Sequence, residues 1–199
     1  MILTLLNSPS SEDWAEVKRR ALITMYGKGL RASYPEPDSE WKEAILLARH
    51  SPIRYLQFSF LIQDIPSNVS THLARHTHSC PFISSLRNDR QDAMDGDKAP
   101  RDTPVNMVYD VNAEELITIA NKRLCGKASA KTREVVQEMC NLAVNAVPEL
   151  KSSLVPMCIR NGSICYEMFG CGRCPKYAGQ SHVDTTDMEK WKRFLSVLP

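Results

Sequence analysis

His72-Leu-Ala-Arg-His-Thr-His-Ser-Cys-Pro-Phe-Ile-Ser-Ser-Leu-Arg87 gathers three histidines, two arginines and several short hydroxyl or thiol side chains within sixteen residues. The stretch follows a strongly apolar strand: Leu56, Phe58, Phe60 and Ile62 alternate with Tyr55, Gln57 and Ser59, the period of a half-buried strand, and Pro66 closes the run. Ser67 is expected to cap a short helix that turns Val69 and Leu73 inward. Guanidinium groups hold anionic oxygens bidentately and short hydroxyls complete the hydrogen-bond shell, so the stretch suits an anion that carries phosphate.

Working outward, Met1 to Leu6 reads as a short apolar strand. Trp14, Val17, Ala21, Leu22 and Met25 then recur at helical spacing, with Gly27 as the stop. Tyr34-Pro-Glu-Pro-Asp38 breaks the chain. Asp38 or Ser39 can cap a helix with Trp41, Ala44, Ile45 and Ala48 on one face. Residues 88–110 are polar and interrupted by Gly96, Pro100 and Pro104, and are expected to form a loop that orders around a ligand. Asn112 and Glu115 have capping-box spacing at the start of a helix running to about Leu124. A further helix is expected over 129–147, with Val135, Val136, Cys140, Ala143 and Val144 as its stripe. Met188, Trp191 and Leu195 mark a last short helix.

The formal charge of +2 gives no reason to invoke nucleic acid or an acidic membrane, and 43% hydrophobic residues in 199 suffice for one sizeable core with an appendage. No window approaches the about 18 apolar residues of a membrane span. Met1-Ile-Leu-Thr-Leu-Leu6 is too short and uncharged for a signal peptide. Seven cysteines, an odd and mostly unclustered set, argue for reduced thiols or metal, which makes the cytoplasm the expected location.

The order Arg75-His76, then Ser85 and Arg87, resembles the motif of flavin-dependent thymidylate synthases: Arg-His-Arg, seven residues, Ser. The resemblance reaches upstream through His50-Ser-Pro-Ile-Arg-Tyr-Leu-Gln-Phe-Ser-Phe-Leu-Ile62. Downstream it continues through Val111-Asn-Ala-Glu-Glu-Leu-Ile117, Arg123, Ala128 and Arg133, covering roughly residues 1–147. It implies an α+β fold, a central antiparallel sheet with flanking helices, over residues 1–150. Residues 151–199 then form a cysteine-containing appendage.

The resemblance also implies reductive methylation of dUMP to dTMP, with FAD, and with methylenetetrahydrofolate and NADPH as co-substrates. Carried over residue by residue, Arg75, His76 and Asn112 would hold the flavin. His72, Ser85, Arg87 and Arg123 would bind the nucleotide, with Arg123 and Ser85 closest to the chemistry. Members assemble each active site from several subunits, which implies a homotetramer.

This chain departs from the pattern in places. Thr77 stands for the motif's second arginine, Phe82 and Ile83 for an Asn-Glu pair, Tyr55 for a histidine and His72 for a glutamine, and the segment between Arg90 and Asn112 is short. Three enzyme readings follow: a divergent thymidylate synthase, a pyrimidine-nucleotide hydroxymethylase, and another flavin enzyme. A non-catalytic nucleotide- or flavin-binding protein is the fourth reading. Cys80, inside the motif, is a candidate nucleophile in place of Ser85, though its blander reading is a small apolar filler.

Cys158, Cys165, Cys171 and Cys174 end in a Cys-Gly-Arg-Cys knuckle of the kind that binds structural zinc. Free or partly disulfide-bonded thiols and an iron–sulfur cluster are the alternatives.

Overall fold

The structure, a computed structural model, describes residues 1–26, 31–90, 96–165, 167, 170–171 and 176–177. Strands β1 (Ile2–Asn7), β2 (Gln57–Pro66), β3 (Ser79–Ile83) and β4 (Pro104–Asn112) form one antiparallel sheet in the order β1-β2-β4-β3. Helices flank it, as the α+β expectation required.

The centre of the sheet follows from alternation on two strands. Phe58, Phe60 and Ile62 of β2 lie opposite Val111, Tyr109 and Met107 of β4, and all six are buried. Each fully buried side chain of this size contributes about 1.5–3 kcal/mol. Ile62 and Ile65 are both in the core although they are three residues apart, which strict alternation forbids. The conflict is resolved by a bulge: the register shifts between them, Asp64 takes a left-handed φ of 56°, and its amide donates to Asn106 Oδ1 at 3.0 Å.

Strand β4 overturns the expectation of a loop through 110. Val105, Met107, Tyr109 and Val111 alternate inward along its length, and Pro104 is tolerated because it opens the strand, where no ladder donor is demanded of it. Only the region before it is irregular, with single 3-10 turns at Asn88–Arg90 and Gly96–Lys98.

Around the sheet lie α1 (Ser11–Tyr26), α2 (Ser39–Ala48), α3 (Ser67–Ala74), α4 (Ala113–Arg123), α5 (Ala130–Ala146) and α6 (Met157–Arg160). Trp14 and Val17 of α1 are core residues, but Met25 is exposed, so the inward stripe ends near Ala21. Gly27 lies outside the described residues. Asp38 caps α2, accepting from the Trp41 amide at 2.8 Å. The buried face of α2 is Lys42, Ile45 and Leu46; Ala44 and Ala48 are exposed, so the face is rotated from the expected one.

Ser67 does not cap α3. Pro66 occupies that position, and the Ser67 hydroxyl donates to the Arg101 carbonyl at 2.8 Å, fastening α3 to the segment before β4. Ser129 caps α5, whose buried stripe is Thr132, Val135, Val136, Met139, Cys140 and Ala143; Val144 packs against its edge.

Just beyond residue 150 the described chain stays on the core, through residue 155. Leu150 and Leu154 are buried in it, and the Asn121 amide of α4 donates to the Val155 carbonyl at 2.7 Å. Two short strands, β5 (Ile164–Cys165) and β6 (Lys176–Tyr177), pair in parallel. Met188, Trp191, Leu195 and Cys174 lie outside the described residues. No helix among the described residues is long and apolar enough to cross a membrane.

Candidate functional site

The junction of α3 with β3 and the helix α4 build the site. Leu73 and Val69 anchor α3 in the core, and the Tyr109 hydroxyl of β4 donates to the Leu73 carbonyl at 3.1 Å, holding the last turn of α3 to the sheet. Burial raises that phenol far above its ordinary value, so it stays a neutral donor. Arg75 ends the helix and His76 turns back under it, only 8% exposed.

From the other side, Asn112 ends β4 and caps α4, accepting from the Glu115 amide at 2.9 Å. A full capping box would return the Glu115 carboxylate to the cap. Here it reaches His76 instead: Glu115 Oε1 lies 3.2 Å from His76 Nδ1. Arg123 completes the line, with Nε donating to His76 Nε2 at 3.1 Å and Nη2 to the His72 carbonyl at 3.0 Å.

A guanidinium can only donate, so His76 Nε2 must be unprotonated and the imidazole proton sits on Nδ1, donated to Glu115. Burial and then the charges of Arg123 and Lys122 push the His76 pKa down to about 4, in keeping with that neutral tautomer. Burial raises the Glu115 carboxyl. His76 is therefore a positioning residue that fixes Arg123.

His72 is half-buried, and its Nδ1 pairs with the Thr132 hydroxyl at 2.8 Å. Burial, then Arg123, Arg75 and Arg101, lower its pKa. Three guanidinium groups thus act electrostatically on one neutral imidazole. Burial and then the nearby charge of Arg75 also lower the Arg123 pKa, so the cluster carries a repulsion that an anion would relieve. Among the described residues Arg123 spends Nε and Nη2 on the protein and keeps Nη1 to offer, and the guanidinium of the exposed Arg75 makes no hydrogen bond.

The structure therefore brings together Arg75, His76, His72, Arg123 and, through Glu115, Asn112. Ser85 and Arg87 stand apart, beyond the far end of β3, a strand that advances roughly 13 Å by its rise. The Arg87 amide donates to Ser85 Oγ at 3.2 Å, and the Arg87 guanidinium holds Asp89 bidentately at 2.9 and 3.0 Å. That exposed pair is worth at most about 1 kcal/mol, so a phosphate can displace Asp89 at little cost.

Cys80 is exposed on β3, which overturns its expected role as an apolar filler. Thr77 is also exposed; Phe82 and Ile83 are 63% and 39% exposed, and Tyr55 has the Arg20 guanidinium 3.9 Å over its ring.

Three members of the cluster did not stand out in the sequence: Glu115, Thr132 and Arg101. Glu115 carried a signal, its capping-box spacing, but the spacing says nothing of a diverted carboxylate. Arg101 is brought near His72 because its carbonyl accepts from the Asn68 amide at 2.9 Å as well as from Ser67.

Of the four cysteines in the C-terminal motif, Cys158, Cys165 and Cys171 are described. All three line one small pocket, together with Cys125 at the end of α4. No three potential ligands among the described residues already stand at metal-binding separations.

No family model matches the chain, and no curated protein matches it in sequence. Among solved structures it is similar to thymidylate synthase X (ThyX) from Helicobacter pylori with FAD and dUMP: TM-score 0.60, 14% identity, covering 77% of this chain and 99% of the other. A second structure of flavin-dependent thymidylate synthase from the same organism, complexed with FAD and dUMP, gives 0.61 at 13% identity over 78% and 100%. A UMP/dUMP methylase, PolB from Streptomyces cacaoi, bound with 5-Br dUMP, gives 0.58 at 14% identity over 76% and 93%. The chain has the flavin-dependent thymidylate synthase fold.

Proposed function

We propose that this protein is a flavin-dependent thymidylate synthase-like enzyme that methylates dUMP reductively. The observation that carries the reading is Arg123 held on His76 and the His72 carbonyl, with the charges of Arg75 and Arg101 also felt at His72, on a fold whose structural neighbours were solved with FAD and dUMP. The donor set fits both ligands. Each carries phosphate and a ring with carbonyl acceptors, and the cluster offers donors from arginines already crowded by like charge.

When bound, reduced FAD supplies the hydride, renewed by NADPH, and methylenetetrahydrofolate supplies the carbon. The protein's own residues bind and orient. Arg123, held by His76 and the His72 carbonyl, directs Nη1 toward negative charge as it develops on the uracil carbonyls. Arg75 and the Asn112 end of α4 contact flavin; His72, Ser85 and Arg87 contact the nucleotide.

A homotetramer accords with the separation of the two halves of the motif. His76 and Ser85 flank opposite ends of β3 in one chain, so two such sites on neighbouring subunits share the work. The edge strand β3 also exposes Phe82 and Ile83, the kind of bare edge that assemblies cover.

The test is mass spectrometry of dUMP after incubation with FAD, NADPH and methylenetetrahydrofolate. A methyl increment is expected, and Arg123→Ala should weaken dUMP binding by roughly 1.5–3 kcal/mol, the range for a charged hydrogen bond. A hydroxymethyl increment would establish the hydroxymethylase reading instead. An unchanged nucleotide mass despite a dUMP-induced flavin shift would leave a binding protein.

A further inference from the structure

Cys125 has no place in the motif that suggested zinc, yet the fold carries it to the same pocket. It follows α4 by two residues, and with Cys158, Cys165, Cys171, Glu167, Asn121 and Met157 it lines a cavity of about 140 Å³. That volume is too small for a nucleotide or flavin and ample for one ion. All four thiols are free. Cys165 is buried and the other three are half-buried. Asn121 clamps the segment in place: its amide donates to the carbonyls of Ser153 and Val155, and its Oδ1 accepts from Arg160 Nη1 at 3.3 Å.

We propose that Cys125, Cys158, Cys165 and Cys171 form a structural zinc site that fastens the C-terminal segment to the end of α4. Zinc in structural sites takes four ligands tetrahedrally at about 2.3 Å, which sets the sulfurs about 3.8 Å apart. The thiols line one cavity but do not yet stand at these separations, so binding must draw them together around the ion. Binding converts the thiols to thiolates and releases their protons to solvent; no electron transfer is involved. Four thiolates suit zinc better than calcium or magnesium, which demand oxygen. Cys174 lies outside the described residues and the assignment does not use it. Methyl transfer at the arginine cluster is a separate question, and the zinc site stands or falls without it.

The full chain, expressed with zinc and purified anaerobically without chelator, should contain one zinc per chain by elemental analysis. Cobalt substitution should give the sulfur-to-metal charge-transfer bands of a tetrahedral thiolate site. Cys125→Ser should lose more than half the zinc, whereas Cys80→Ser and Cys174→Ser should retain it. Should Cys125→Ser not fold, alkylation of the wild-type chain provides the same readout. Removing the metal with a chelator should raise the labelling rates of Cys125, Cys158, Cys165 and Cys171 together, at least tenfold. Zinc-free protein, iron in place of zinc, retention of zinc by Cys125→Ser with its loss in Cys174→Ser, or Cys125 labelling indifferent to chelator would each overturn the assignment.

Discussion

His76 has both imidazole nitrogens committed, one to a carboxylate and one to a guanidinium, which makes its protonation state a structural matter. In the folded chain its pKa is about 4, against about 6.5 for an unperturbed histidine. Between those values the unfolded chain binds the extra proton. The stabilisation is therefore complete above pH 6.5 and is lost as pH falls toward 4, by at most about 3 kcal/mol. The raised Glu115 carboxyl works in the opposite sense and flattens the slope. Nitrogen-15 spectra should show the Nδ1-protonated neutral form down to about pH 4. An imidazole that titrates near 6.5 would show that Arg123 is not held through Nε2.

At the level of elements, α4 depends on Asn112 for its start and on Arg123 for its chemistry. Asn112→Ala removes the acceptor for the Glu115 amide and should cost about 1 kcal/mol in denaturant unfolding. Asn112→Ser should restore most of that loss, because a serine hydroxyl caps nearly as well. FAD affinity separates the two roles of the position. If it falls in Asn112→Ser while stability recovers, the amide also contacts flavin; if both recover, Asn112 acts only as a cap.

For the whole molecule, assembly is the property with the largest consequence. A chain whose motif is divided between the two ends of β3 is expected to complete its sites with neighbouring copies. Light scattering should report a tetramer, and Phe82→Lys, which puts charge on the exposed edge, should shift it toward smaller species without altering the far-ultraviolet circular dichroism. A wild-type monomer that persists with FAD present would sink the shared-site arrangement.

The local periodicities were open to inspection in the sequence alone. The alternation from Leu56 to Ile62 is strand β2, the Asn112 and Ser129 caps begin α4 and α5, and the motif from Arg75 to Arg87 points to the fold. The alternation of Val105, Met107, Tyr109 and Val111 was equally present, but the prolines beside it read as loop because a strand-opening proline looks like a breaker until its neighbours in the sheet are known. What no local pattern holds is contact across the chain. His76 meets Glu115 from 39 residues away and Arg123 from 47, and Cys125 shares a pocket with Cys158 and Cys171 where Asn121 ties the segment after Leu150 to α4. Spacing records which side chains share a face of one element. Which faces meet is decided by packing the whole core, and only the tertiary structure sets the guanidinium cluster and the thiol pocket.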